Sequence, residues 1–366
     1  MPSFKLVKIL YIYIALLFLS LPVHSENLKL IKVVDRLDNP WGITFVDKHK
    51  VLITEKAGKI IQLNLGNGSK QTLHHNLSVL EDGQGGLLDI LYENGKVYVS
   101  FSEDRGVGKS STSIAISHFE YESLNFKTIF RAEPPINSGF HFGSRLVIKG
   151  DHLYASVGER GRGAIAQDPS KHPGSIIRIK LDGTVPLNNP HFQELKNWRP
   201  EIFQIGVRNP QGLALSPFDG EIYMSNHGAR GGDWFGRVVK SENYGWNILG
   251  WGGRNYSGTS IGPKWKSGFT KAIRYWVPSI AVSAIAIYDG KEFPEWRGQA
   301  LITSLKDESL RRLKFTKDTF IEEKIIFKSD IGRIRDIEID KLTGKLFLLS
   351  DDGEIWRLEK ISPILE

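Results

Sequence analysis

Residues 204–233 read QIGVRNPQGLALSPFDGEIYMSNHGARGGD. Leu213 and Leu215 alternate with small residues ahead of the turn set Pro217-Phe218-Asp219-Gly220, and Ile222-Tyr223-Met224 follows it. Two short apolar runs around a Pro/Asp/Gly turn predict a β-hairpin. Alternation sends successive side chains to opposite faces, so this hairpin is expected to be half buried. Its flanking loops hold groups that a hairpin does not require: Arg208-Asn209-Pro210 before it, and the glycine-rich loop 228–232 after it.

The same frame recurs on both sides. Upstream it appears at Trp41-Gly42-Ile43-Thr44-Phe45, at Gly86-Leu87-Leu88-Asp89-Ile90 and at Arg145-Leu146-Val147-Ile148, each followed by further short apolar runs. Downstream it returns at Ala284-Ile285-Ala286-Ile287-Tyr288 and at Asp336-Ile337-Glu338-Ile339. Short strands joined by Gly/Asp/Asn turns, with almost no helical period, point to an all-β repeat array, and six copies predict a six-bladed β-propeller. Leu28 to Val34 precedes the first full copy and is expected to supply the outer strand of the last blade. Long inserts follow the second, third and fourth copies, and inserts in repeat folds collect on one face, usually the binding face.

Composition limits the chemistry. The chain of 366 residues is 40% hydrophobic, enough for a full core and unlike a disordered protein. It has no cysteine, so a disulfide framework or thiolate metal site is excluded and any metal must be held by oxygen or imidazole. At the N-terminus, Lys5 and Lys8 precede the apolar run 9–22 and then Val23-His24-Ser25. This reads as a cleaved signal peptide over residues 1–25, the apolar run being shorter than the roughly 20 residues of a spanning helix. The mature propeller, 26–366, is expected to be periplasmic or secreted, without stable membrane insertion. Loss of the two lysines lowers the net charge from +7 to +5. No lysine- or arginine-rich run suggests nucleic acid.

Several polar groups occupy matching places in the frame. Gln84 precedes the second copy's inner strand, His141 the third, Arg208 and Asn209 the fourth, and Arg333 and Arg335 the sixth; Lys306 follows a strand of the fifth. Equivalent positions in a propeller converge near its axis, so these residues are expected to surround one cationic pocket containing an imidazole. Glu159 is either an ordinary loop carboxylate or an acceptor that orients His141. The loop at Gly228 is either a tight connection or a set of unobstructed carbonyls for a hard cation such as calcium.

Together these motifs carry a family resemblance. Gly83-Gln84-Gly85-Gly86-Leu87-Leu88-Asp89, His141-Phe142-Gly143 with Arg145, Gly158-Glu159-Arg160-Gly161, Arg208-Asn209-Pro210-Gln211-Gly212, His227-Gly228 with Arg230-Gly231-Gly232-Asp233, Asn243-Tyr244-Gly245-Trp246 and Gly332-Arg333-Ile334-Arg335-Asp336 resemble the soluble quinoprotein glucose and aldose sugar dehydrogenases. The resemblance spans the chain after the signal. It implies a propeller that binds pyrroloquinoline quinone (PQQ) and Ca2+, oxidises the anomeric carbon of sugars to lactones and passes electrons to an external acceptor. His141 matches the general base, Glu159 the acidic residue near it, and Arg208 the arginine over the quinone oxygens. Gln84, Asn209, Tyr256, Lys306, Arg333 and Arg335 match cofactor contacts, and the carbonyls of Gly228 and Ala229 match calcium ligands.

The sequence departs from the family at three places. Ala229 stands in place of a usual Pro, and Ser144 in place of a usual Gly, where a side chain would narrow the pocket. Trp234 stands where an acidic residue belongs to a second, structural calcium site, of which Tyr244 is retained. Two other functions fit a propeller: a calcium-dependent lactonase, which would not need Lys306, Arg333 and Arg335, and a non-catalytic binding module, which would not need His141.

Overall fold

The structure, a computed structural model, describes residues 28–120 and 122–361; the expected signal peptide lies outside them. Blade 1 runs through Pro40–Phe45, Lys50–Glu55, Lys59–Asn64 and Lys70–His75, with the two-residue strand Ser123–Leu124 added in parallel at its outer edge. Blade 2 is Leu87–Glu93, Lys96–Asp104, Ser110–His118 and Lys127–Arg131. Blade 3 is Gly143–Lys149, His152–Val157, Ser175–Lys180 and Ile202–Ile205. Blade 4 is Pro210–Leu215, Ile222–Asn226, Asp233–Arg237 and Arg274–Trp276, and blade 5 is Val282–Ile287, Ala300–Ser304, Ser309–Phe315 and Phe320–Lys328. Blade 6 joins Ile334–Ile339, Leu346–Ser350 and Glu354–Lys360 to Leu28–Val34, its outermost strand, as the sequence predicts. Each inner strand packs against the next, and that of blade 6 against that of blade 1, so the ring closes as a six-bladed β-propeller. Among the described residues no helix is long and apolar enough to cross a membrane.

The expected half-burial of the 204–233 hairpin is incorrect. Ile222–Asn226 is buried at every position, and Pro210–Leu215 at all but the last. The reason is that each blade is covered on both faces. Tyr223 joins a core cluster shared with blade 5 (Val282, Ile285, Ile302), while its neighbour Met224 joins one shared with blade 3 (Val147, Ile176). The same sorting in blade 1 sends Leu52 toward blade 2 and Ile53 toward blade 6. Each such Leu or Ile contributes about 1.5–3 kcal/mol on burial, more than the roughly 1 kcal/mol span of strand propensity, so packing between blades fixes the register. The outer strands of blades 1 and 5 are the more solvent-facing: Phe320–Lys328 has no fully buried residue, and Lys70–His75 only Leu73, whereas Ile202–Ile205 of blade 3 is buried throughout.

Every inner strand is bulged against its neighbour, between Pro40 and Gly42, Leu87 and Ile90, Gly143 and Leu146, Pro210 and Gly212, Val282 and Ile285, and Ile334 and Asp336. A bulge leaves ladder groups unpaired and re-aims a side chain. Hydroxyls of the second strands repair the ladder and join blades: Ser100 Oγ accepts from Asp89 N at 3.0 Å and donates to Ser144 O at 2.5 Å, and Ser156 Oγ accepts from Arg145 N at 3.0 Å and donates to Pro210 O at 3.1 Å. The re-aimed side chains meet at the axis, where the buried Arg145 pairs through Nη1 with Asp89 at 2.9 Å and Asp336 at 2.8 Å.

Below this triad a cavity of about 660 Å3 runs between the inner strands and contains Glu338. Burial pushes the Glu338 carboxyl up to about 8, with the Asp336 charge acting in the same direction. The fold therefore favours the neutral acid. Its stabilising contribution is full below the unfolded value of 4.5 and is lost as pH rises through 8, by at most about 1.4 kcal/mol per pH unit. Urea unfolding at pH 6 and pH 9 should show Glu338→Gln gaining on the wild type at the higher pH; a constant difference would contradict this assignment.

Candidate active site

On the other side of the triad, the loops entering the inner strands enclose a second cavity of about 220 Å3. Arg145 separates the two spaces: its Nε donates to the carbonyl of Gln211, which lines the upper cavity, at 3.0 Å. Trp41, Leu88, Phe142 and Leu305 give the upper cavity apolar walls. Its polar groups arrive from different blades, as the sequence frame predicts: Gln84, His141, Arg208, Asn209, Arg333 and Arg335 all line it, together with Tyr256.

His141 is held in one orientation. Its Nδ1 lies 2.5 Å from Glu159 Oε1, so that nitrogen carries the proton and Nε2 keeps a lone pair. Burial pushes the imidazole below its ordinary value, and the charges of Arg208 and Arg160 add to this against the pull of Glu159. The ring is therefore neutral and able to accept a proton. His141 has φ +52°, a left-handed conformation that costs a non-glycine residue about 1–3 kcal/mol and persists only where surroundings enforce it. The enforcing contacts are present: Gln84 Oε1 accepts from His141 N at 2.9 Å, and Asn209 Oδ1 accepts from Gly143 N at 2.9 Å. The strand beyond also passes close, for a Cβ at Gly158 would lie 2.0 Å from the His141 carbonyl.

The cationic lining is only partly neutralised. Arg208 is buried, and its Nη1 donates to the carbonyl of His227 at 3.0 Å. Its backbone N–H and that of Asn209 both donate to Asn226 Oδ1, at 2.9 and 3.0 Å. Arg335 makes a two-pronged contact with Asp351, at 2.7 and 2.9 Å, and Arg333 Nε reaches the same carboxylate at 3.0 Å. Burial opposes ionisation of Asp351, but Arg335 and Arg333 hold it below the usual carboxylate range. Two guanidinium groups thus share one carboxylate and retain net positive charge. Lys306 is exposed and does not line the cavity, although its neighbour Leu305 does.

The Gly228 loop is fastened by Asp233, whose Oδ1 accepts from Gly228 N at 2.7 Å and whose Oδ2 accepts from Ser279 Oγ at 2.7 Å. Gly228 and Ala229 are buried, and among the described residues their carbonyls meet no backbone N–H or side-chain donor. The described residues bring together no cluster of three or more His, Asp or Glu side chains suited to a metal, so a hard cation here would rest on carbonyls. Tyr244 is the residue expected at the second calcium site rather than at this loop. It lies in the core between blades 3 and 4, stacked on Trp234 with ring centroids 4.0 Å apart, and its hydroxyl donates to Arg237 O at 2.8 Å. Ser144 does not narrow the cavity either: it is fully buried, and its Oγ donates to Phe142 O at 3.2 Å.

Comparison with known proteins places the chain in a family. Residues 37–357 match the family model described as glucose/sorbosone dehydrogenase. The chain belongs to this family. It is 34% identical to the aldose sugar dehydrogenase YliI of Escherichia coli, over 99% of this chain and 98% of that protein. The crystal structure of the soluble aldose sugar dehydrogenase of Escherichia coli in its apo form superposes with a TM-score of 0.86, at 32% identity over 91% of this chain and all of that one. Quinoprotein glucose dehydrogenase B of Acinetobacter calcoaceticus is 26% identical over 89% of this chain and 86% of that protein.

Within this dehydrogenase family member, four groups at the site escape the sequence reading. Lys56 and His227 line the cavity, Asp351 couples the two arginines, and Asn226 fixes the Arg208-Asn209 turn. Burial pushes His227 down to about 4, so the second imidazole is also neutral. Its place directly before Gly228 was the available signal. Asp351 and Asn226 lie on second strands or the turns after them, where Asp and Asn are ordinary.

Proposed function

We propose that this protein is a PQQ-dependent aldose dehydrogenase, exported to the periplasm or secreted, which oxidises the anomeric carbon of a sugar to a lactone and delivers electrons to an external acceptor. The observation that carries this reading is the neutral His141, oriented by Glu159, in a cavity whose other walls bear Arg208, Arg333 and Arg335. PQQ bears three carboxylates and an ortho-quinone, so a cradle with surplus positive charge suits it. The Acinetobacter relative is a quinoprotein, which supports the same cofactor. The donor-free carbonyls of Gly228 and Ala229 suit a calcium ion beside it.

In this reading PQQ supplies the hydride acceptor for the sugar's C1. His141 Nε2 takes the proton of the C1 hydroxyl, and Glu159 stabilises the imidazolium that forms. Arg208, already desolvated and fixed, places a positive charge where negative charge develops. Arg333 and Arg335, with Gln84, Asn209 and Tyr256, would hold the cofactor's polar groups; Lys306, exposed and outside the cavity lining, is not among them.

The test is reconstitution of the mature, cofactor-free protein with PQQ and Ca2+. A ligand at a hundred times its Kd stabilises by about 2.7 kcal/mol, so PQQ should raise Tm, and removal of Ca2+ by chelation should diminish both that rise and the aldose-dependent reduction of an artificial dye. An unshifted PQQ absorbance with unchanged Tm would overturn the proposal.

A further inference from the structure

The loop bearing His141 is held by a group that touches none of the reacting atoms. Arg160 is 2% exposed, and its guanidinium ties the loop at Ser138 and Phe140 to the blade 2 strand that starts at Ser110: Nε donates to Phe140 O at 2.8 Å, Nη2 to Ser138 O, Nη1 to Ser110 O at 3.0 Å, and Nη2 also to Ser110 Oγ at 3.0 Å. The same guanidinium lies 3.6 Å from the centroid of the Phe142 ring. Its backbone N–H donates to His141 O at 3.3 Å. Residues 138, 140, 141 and 142 are therefore all gripped by one residue, and its chain neighbour Glu159 holds the imidazole itself.

We infer that Arg160 is a positioning residue for His141, clamping the 138–142 loop so that the left-handed backbone at His141 keeps its ring on Glu159. The inference rests on the proposed role of His141 as base. A planar fork with five N–H donors can serve three carbonyls and a hydroxyl while stacking on a ring; the point charge of lysine cannot reproduce that set. Without the fork, Ser138 and Phe140 lose their shared donor and the strained turn can relax. A displacement of about 1 Å at a reacting group lowers turnover by about 100-fold.

The test compares wild type, Arg160→Gln and Arg160→Lys, each as the full mature protein. In cofactor-free, 15N-histidine-labelled protein, the low-field Nδ1–H resonance of His141 is assigned by its loss in His141→Gln. The expected result is that this resonance moves or exchanges away in Arg160→Gln, that kcat of the reconstituted enzyme falls by about 100-fold, and that PQQ binds with near wild-type affinity. Arg160→Lys should fall between, and it carries the test if the glutamine variant does not fold. A lowered Tm with the His141 resonance and kcat unchanged in the folded variants would show Arg160 to be only a structural clamp and overturn the inference. If the wild type reduces no dye with any aldose, the proposed function fails, yet the resonance still decides whether Arg160 orients His141.

Discussion

Replacing His141 with glutamine is expected to lower kcat for aldose oxidation by about 10²–10⁴-fold, the range of a positioned general base. Glutamine retains a polar side chain of similar reach but cannot take a proton. His141 N is held by Gln84 and its turn by Asn209 through backbone groups, so the substitution leaves those contacts in place. PQQ affinity should change little, because the cationic part of the cradle is Arg208, Arg333 and Arg335. Steady-state kinetics of the reconstituted variant, with PQQ binding followed by absorbance, separates the two effects. A variant that keeps wild-type kcat would remove His141 from the chemistry.

The second large effect lies at the axis. Arg145→Met should destabilise the propeller by about 3–5 kcal/mol, since removing one partner of a buried ion pair leaves uncompensated charge. Asp89 and Asp336 would then face each other across the axis without the cation they share. Backbone donors at Leu146 N, 2.7 Å from Asp89 Oδ2, and Ile43 N, 3.0 Å from Asp336 Oδ2, do not replace that charge. Burial already pushes both carboxyls up while Arg145 pulls them down, so deleting the arginine raises them further. A raised carboxyl stabilises the fold at low pH and loses that contribution as pH rises, so the deficit of Arg145→Met should be smaller at pH 5 than at pH 8. Thermal melting at both pH values checks the sign. A Tm within about 1 °C of wild type at pH 8 would contradict the triad's role, because 3–5 kcal/mol corresponds to several degrees.

The repeat was legible because the inner and second strands carry packed residues on both faces, which leaves apolar runs at regular places such as Leu52-Ile53 and Tyr223-Met224. The same property misleads about burial: a hairpin read alone looks half solvated, since nothing local announces the neighbouring blade. Some outer strands were illegible: Lys70–His75 is a polar run that a loop could also carry, and Phe320–Lys328 breaks alternation with Glu322-Glu323-Lys324 and has no fully buried residue. At the site, residues that recur at the entrance of an inner strand could be found from register, and His141, Arg208 and Arg335 were. Glu159 could not be separated from an ordinary loop carboxylate until its 2.5 Å contact with His141 was on view. Asp351 and Arg160 act through partners 16 and about 20 positions distant along the chain, a relation no local pattern encodes. Ser144 and Trp234 were noticed as departures, but whether either side chain turns to the cavity or the core depends on backbone angles, and both turn to the core.

The most direct measurement is the rate of dye reduction by the protein reconstituted with PQQ and Ca2+, using the aldose it reduces dye with fastest and the same aldose deuterated at C1 under identical conditions, with the product analysed. The account predicts a slower rate with the deuterated sugar in single-turnover reduction and the corresponding aldonolactone as product. Equal rates in single turnover, or a product oxidised elsewhere on the sugar, would contradict it.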